Sequence, residues 1–214
     1  MYQLGRLPAP DPRDEAFRLS ALLPAVPTRT RRYYWSDWFG DQGQTSACVG
    51  YAWAHWLVSG PVTQVTQNWD DYAYATYLDA QLVDEWPGED YDGTSVRAGA
   101  KALQEAGFIT EYRWAWTADV VVRAVLDVGP VVVGTVWTEG MFIPVDGRIV
   151  PDGPTVGGHA YLIDGANAER GTVRIKNSWG RDWSINGRAT MSIPHLSHLL
   201  DQDGEAALAS EIRR

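Results

Sequence analysis

Apolar positions follow two regimes along this 214-residue chain. Up to about residue 128 they recur at three- and four-residue intervals. Val49, Ala52, Trp53, Trp56 and Leu57 fall on one stripe, which predicts a helix from Cys48 to Val58 with one buried face. The same period predicts helices over Trp69 to Asp84, Val96 to Gly107 and Ala118 to Val128. From Gly129 onward, β-branched runs punctuated by glycine and proline predict strands instead. These cover Val131 to Trp137, Arg148 to Val150, His159 to Asp164, Thr172 to Asn177 and Gly187 to Ile193. The tail from Asp201 to Arg214 is polar and reads as a short surface helix. Helices first and strands second describe an α+β protein. No linker rich in proline, glycine or serine separates the halves, so they are expected to share an interface with a cleft between them.

The chemistry centres on Cys48, the one cysteine in the chain. A lone thiol forms no intramolecular disulfide, which leaves the roles of inert core residue, intermolecular link or nucleophile. Its place at the start of a predicted helix, after Gln42-Gly43 and the small Ser46 and Ala47, favours the nucleophile. Helix N–H groups and dipole stabilise a thiolate, and a paired histidine lowers its pKa further, to about 3.5–7.5. Of four histidines, His159 follows two glycines at the head of an apolar strand. His55 lies two turns beyond Cys48 and reads as a packing or solvent-facing residue, and His195 and His198 have no neighbouring chemistry. Asn177, in Lys176-Asn177-Ser178-Trp179-Gly180, supplies an amide oxygen able to hold an imidazole in one orientation, with Trp179 as its cover.

Gln42-Gly43 with Cys48 six residues after the glutamine, then His159, then Lys176 to Gly180, resemble in order and spacing the papain-like cysteine peptidases. Tyr91 to Ser95 resembles that family's glycine-bearing cleft loop, and Asp11-Pro12-Arg13-Asp14 a short leader of bacterial and viral members. The chain departs from the pattern at Val49 and Thr45, where the family usually has an aromatic residue and a cysteine, and at Gly158, where papain has an aspartate.

The resemblance implies a helical left lobe (about 45–127) and a β-barrel-like right lobe (about 129–193) within a domain spanning 23–214, after an N-terminal extension over 1–22. It implies peptide-bond hydrolysis through a thioester, with Cys48, His159 and Asn177 catalytic and Gln42 in the oxyanion hole. Gly93, Thr94 and Trp179 are expected to bind substrate. Gln42 also reads as a plain turn residue, Trp179 as core and Gly93 as an ordinary turn glycine. An amidase or transpeptidase sharing the thioester, or a noncatalytic binding protein on the same fold, are the alternatives. Residues Met1 to Ser20 are expected either to pack on the surface or to cover part of the cleft.

Composition narrows the partners. A net charge of −9 and one small basic cluster, Arg29, Arg31 and Arg32, disfavour nucleic acid. No run approaches the roughly 20 apolar residues of a membrane span, and no secretory core follows Met1. The expectation is a cytoplasmic enzyme, a bacterial or phage product, acting on peptides or proteins with no cofactor and no metal.

Overall fold

A computed structural model of the protein describes residues 2–60, 68–86 and 91–211. Strand β1 (Arg31–Tyr33) precedes three helices, α1 (Cys48–Ser59), α2 (Trp69–Val83) and α3 (Val96–Glu105). After them come β2 (Ile109–Ala115), α4 (Ala118–Asp127), β3 (Val131–Thr138), β4 (Thr155–Asn167), β5 (Thr172–Lys176) and β6 (Arg188–Ser192). The described chain ends with α5 (Ile193–Leu200) and β7 (Glu205–Glu211). Local chemistry sets the starts of three helices: Ser95, Thr117 and Ser192 accept from the N–H groups of Ala98, Val120 and His195.

All strand pairs are antiparallel, in the order β2-β7-β3-β4-β5-β6, with β1 joining β4 at Arg31 to Tyr33 against Asn167 to Gly165. Both faces of the central strands are covered. Val132, Ala160, Leu162 and Ala207 meet α1 and α3 on one side, whereas Val131, Val133, Tyr161, Ile163 and Ala206 meet α4 and its neighbours on the other. These strands therefore read as continuous apolar runs with alternating destinations.

Several expectations need correction. The sheet is open rather than barrel-like, because its edges find other partners. Trp114 of β2 bridges to Arg18, and Thr190 of β6 bonds to Gly147 and Ile149. Every residue of α1 is buried, not one face: the helix carries no charged side chain and lies between α2 and α3 and the sheet. The tail forms β7, a strand between β2 and β3, and not a surface helix; Ala206 to Ala209 supply a small apolar run that polar Asp201, Asp203 and Glu205 obscure. Residues 212–214 of that tail lie outside the described residues, as does Met1. Arg148 to Val150 is not a regular strand: it leaves the 146–147 turn closed by the Val145–Arg148 bridge, and Arg148 makes one isolated bridge to Thr190 of β6. β1 and β2 join the sheet, and α4 packs in its core.

Residues 2–22 are built into the fold as well. Leu19 is in the core, and Asp14, within a 3₁₀ segment over Pro12–Phe17, accepts from the Arg97 guanidinium of α3, 2.6 Å from Nη1.

Candidate active site

Cys48 opens α1 without a side-chain cap, leaving N–H groups free at its end. The N–H groups of Ala160, Gly5 and Val49 face its sulfur. Ala160 follows His159 in β4, so the helix end and the middle of the sheet converge on the thiol. The sulfur is nonetheless wholly buried, and burial pushes its pKa up to about 11 against the pull of those donors. This reverses the lowered pKa expected from sequence: desolvation outweighs the helix end.

His159 Nε2 donates to Asn177 Oδ1 at 2.8 Å. The N–H of Ser178 donates to the same oxygen at 2.8 Å, which fixes it as the acceptor and leaves His159 Nδ1 unprotonated in the neutral ring. Nδ1 is buried with no hydrogen-bond partner, so His159 and Asn177 are joined while Cys48 and His159 are not. Burial brings the His159 pKa down to about 4, more than the Asn177 bond raises it. Trp179 stacks on the imidazole at 4.8 Å and packs edge-on against Trp137 and Trp183, so the expected cover is in place.

Gln42 is held on both sides. Its Oε1 accepts from Ser178 Oγ at 2.6 Å, its backbone N–H donates to Ser178 O at 2.9 Å, and Nε2 donates to Thr45 O at 2.7 Å. Nε2 also lies 3.2 Å from a peptide carbonyl, that of Gln3. Ser178 therefore ties the Gln42 arm to the His159–Asn177 arm. Sequence reasoning passed over it, although its place directly after Asn177 was the available signal.

The carbonyl of Gln3 belongs to a strand of backbone that lies along the site. Tyr2 stacks on Trp179 at 4.4 Å, Gly5 and Arg6 donate to Gly158 O at 3.1 and 3.0 Å, and Leu7 donates to Thr94 O at 2.9 Å. Thr94 returns a bond from its N–H to Gly5 O at 2.9 Å. Of the two sequence alternatives for the first residues, these contacts match covering of the cleft. Thr94 thus pairs with a peptide backbone, whereas the N–H of Gly93 goes to Tyr77 Oη; Gly93 only makes room, since a Cβ there would meet Gly5 O at 2.3 Å. Gly158 does the same for Arg6, whose carbonyl oxygen would lie 2.1 Å from a Cβ. That glycine was the sequence signal for the covering segment.

The other histidines stand apart. His55 is buried, not solvent-facing, and its Nε2 accepts from the N–H of Gly40 at 3.2 Å. His198 is exposed on α5, the helix whose Leu196, Leu199 and Leu200 enter the core, and lies beside Gln202. Among the described residues no cluster of metal-ligating side chains occurs, and no helix is long and apolar enough to cross a membrane. A thiol, a basic nitrogen in a neighbouring strand, an amide orienting the ring and a second amide holding a carbonyl oxygen are the components of acyl transfer.

No family model matches the sequence. Among curated proteins, the chain is 23% identical over 202 residues to an uncharacterized peptidase C1-like protein of Acanthamoeba polyphaga mimivirus, a match covering 73% of this chain. It spans 65% of that relative's length. Among solved structures it is similar to xylellain, a cysteine protease from Xylella fastidiosa, with a TM-score of 0.75 at 19% identity over 98% of this chain and 96% of that one. It is similar also to digestive procathepsin L2 proteinase from Tenebrio molitor, with a TM-score of 0.69 at 16% identity over 98% and 78% of the two chains. The chain has the papain-like cysteine protease fold.

Proposed function

We propose that the protein is a cysteine peptidase that is latent while residues 2–7 lie in its cleft. The observation that carries the reading is a peptide carbonyl, that of Gln3, already seated on Gln42 Nε2, with the N–H of Gly5 in the same segment facing the sulfur of Cys48. In the covered state the thiol and the imidazole are both neutral, because burial favours each uncharged form. Departure of the segment admits water, and the proton moves from Cys48 to His159.

The thiolate then attacks a peptide carbonyl whose developing oxyanion is held by the N–H of Cys48 and by Gln42 Nε2. Imidazolium His159 gives its proton to the leaving amine, and the acyl group remains on sulfur as a thioester. The neutral imidazole next takes a proton from water, hydroxide attacks the thioester, and the acid product departs as the thiolate re-forms. Asn177 keeps the ring in its tautomer through both steps. The fold and the peptidase-like mimivirus relative support hydrolysis as the outcome.

The test uses Gly5→Val. A Cβ at Gly5 would lie 2.0 Å from Ser46 O, so the variant cannot seat its N-terminal segment as found. Gly5→Val is expected to cleave members of a mixed fluorogenic peptide library, and Gly5→Val/Cys48→Ala, with unchanged circular dichroism, to cleave none. A folded Gly5→Val that cleaves nothing would overturn the reading.

A further inference from the structure

His55 lies on α1 two turns beyond Cys48, wholly buried, and the chemistry of acyl transfer does not use it. Its Nε2 accepts from the N–H of Gly40 at 3.2 Å, which places the proton of the neutral ring on Nδ1. Burial, and then the charges of Lys176 on β5 and Arg188 on β6, push its pKa well below the ordinary histidine value and keep the ring neutral. Trp38 lies against the imidazole at 4.5 Å. Nδ1 is buried with no hydrogen-bond partner. An apolar side chain of similar volume would fill the same space without an unpaired donor, so packing alone gives no reason for an imidazole here. The acceptor nitrogen does.

Gly40 stands two residues before Gln42, and the N–H groups of Gly40, Asp41 and Gln42 go to three different acceptors. These are His55 Nε2 on α1, Asp70 Oδ1 on α2 at 3.2 Å, and Ser178 O at 2.9 Å. The carbonyl of Gly40 accepts from the N–H of Gly180 at 3.0 Å. The backbone that carries Gln42 is therefore pinned along its length. His55 is the pin that shares an element with the nucleophile, seven residues or about 10 Å along one helix from Cys48. The two donors assigned to the oxyanion, Cys48 N–H and Gln42 Nε2, come from separate segments, and this contact ties the second segment to the helix that carries the first.

We propose that His55 is a positioning residue of the oxyanion hole: by accepting from Gly40 it fixes where Gln42 Nε2 lies relative to the Cys48 N–H, and so sets turnover rather than substrate affinity. The proposal rests on the peptidase reading for turnover, but the tie between His55 and the Gln42 segment does not.

Two measurements test it. In the first, kinetics on one fluorogenic peptide are followed in the Gly5→Val background. His55→Leu, which keeps the bulk and loses the acceptor, is expected to lower kcat about tenfold with KM within about twofold. His55→Gln carries an amide oxygen near the place of Nε2 and is expected to recover kcat to within about threefold of its parent. Adding His55→Leu to Gln42→Ala is expected to change kcat by less than about twofold, because a residue that acts through Gln42 then has nothing left to aim. In the second, the intact covered chain is followed by nitrogen–proton correlation spectra and amide hydrogen exchange. Exchange at the Gly40 N–H is expected to accelerate about 30-fold or more in His55→Leu, with the side-chain amide signals of Gln42 displaced, and both to return in His55→Gln. If His55→Leu does not fold by circular dichroism, His55→Met, whose thioether accepts only weakly, replaces it in every comparison.

Unchanged kcat in the folded variant, a loss carried by KM, no recovery in His55→Gln, or a full loss in the Gln42→Ala background overturns the proposal and leaves the peptidase standing. The spectral changes, in a Gly5→Val protein that cleaves nothing, support the tie and overturn the peptidase. Exchange at Gly40 that ignores His55→Leu overturns the tie whatever the kinetics.

Discussion

Ser178 shows how one residue ties two arms of the site together. Its hydroxyl fixes the amide orientation of Gln42, and its backbone N–H fixes Asn177 Oδ1 as an acceptor. Ser178→Ala in the Gly5→Val background is expected to lower kcat about tenfold with little change in KM, because the lost bond aims an oxyanion donor rather than binding substrate. Steady-state kinetics on one peptide would check it; an equal loss through KM would place Ser178 in ground-state binding. The thiol itself offers a second readout. With its pKa held up near 11, Cys48 in the intact chain is expected to react with iodoacetamide slowly at neutral pH and faster only as pH approaches that value. In Gly5→Val the rate profile shifts to lower pH, and identical profiles would remove the covering segment as the cause.

At the level of elements, the N-terminal segment divides into a part that covers and a part that anchors. Residues 2–7 contact the site, while Asp14 clamps the chain to Arg97 and Leu19 enters the core. Asp14→Ala is expected to destabilise the protein by about 3 kcal/mol in urea titration, since it strips the buried Arg97 guanidinium of its doubly bonded carboxylate and leaves it only the longer ion pair with Glu85 at 3.5 Å. Deleting residues 1–7 is expected to lower the unfolding midpoint as well, because it leaves the buried Glu205 carboxylate without Arg6 and removes the backbone bonds to Gly158 and Thr94. The sequence made the helices starting at Cys48, Trp69, Val96 and Ala118 legible, because each has a period or a cap that neighbours do not override. It hid β7, whose alanines carry almost no strand propensity and which is a strand only because β2 and β3 flank it. The site divides the same way. Cys48, His159, Asn177 and Gln42 lie in local motifs, whereas Glu205 and Arg6 meet across 199 residues with no pattern linking them.

For the molecule as a whole, two buried histidines set the acid limit. His159 titrates near 4 and His55 well below its ordinary value, both chiefly through burial, with Lys176 and Arg188 adding to the effect at His55. Each folded pKa is depressed, so the unfolded chain takes up protons near pH 6.5 that the folded chain refuses. Stability is therefore full above about 6.5 and falls as pH drops toward 4, by up to about 1.4 kcal/mol per pH unit for each histidine. Glu205, whose carboxyl burial pushes up, acts in the opposite sense over its own range and softens the slope. Urea midpoints measured between pH 7.5 and 4.5 should decline, and a flat profile would contradict the burial of both rings. The Arg6 contact has a further consequence on this scale. A ligand attached to its own receptor by a short run of backbone is present at an effective concentration that reaches the millimolar range, whatever the protein concentration. Dilution cannot release it, and a competitor at micromolar levels sees only the open fraction of molecules. A single cut between Leu7 and Asp14 would turn the tethered ligand into a diffusible peptide. Switching on would then be a kinetic event with a memory, set by whichever protease reaches that stretch first, and not an equilibrium that substrate can tip.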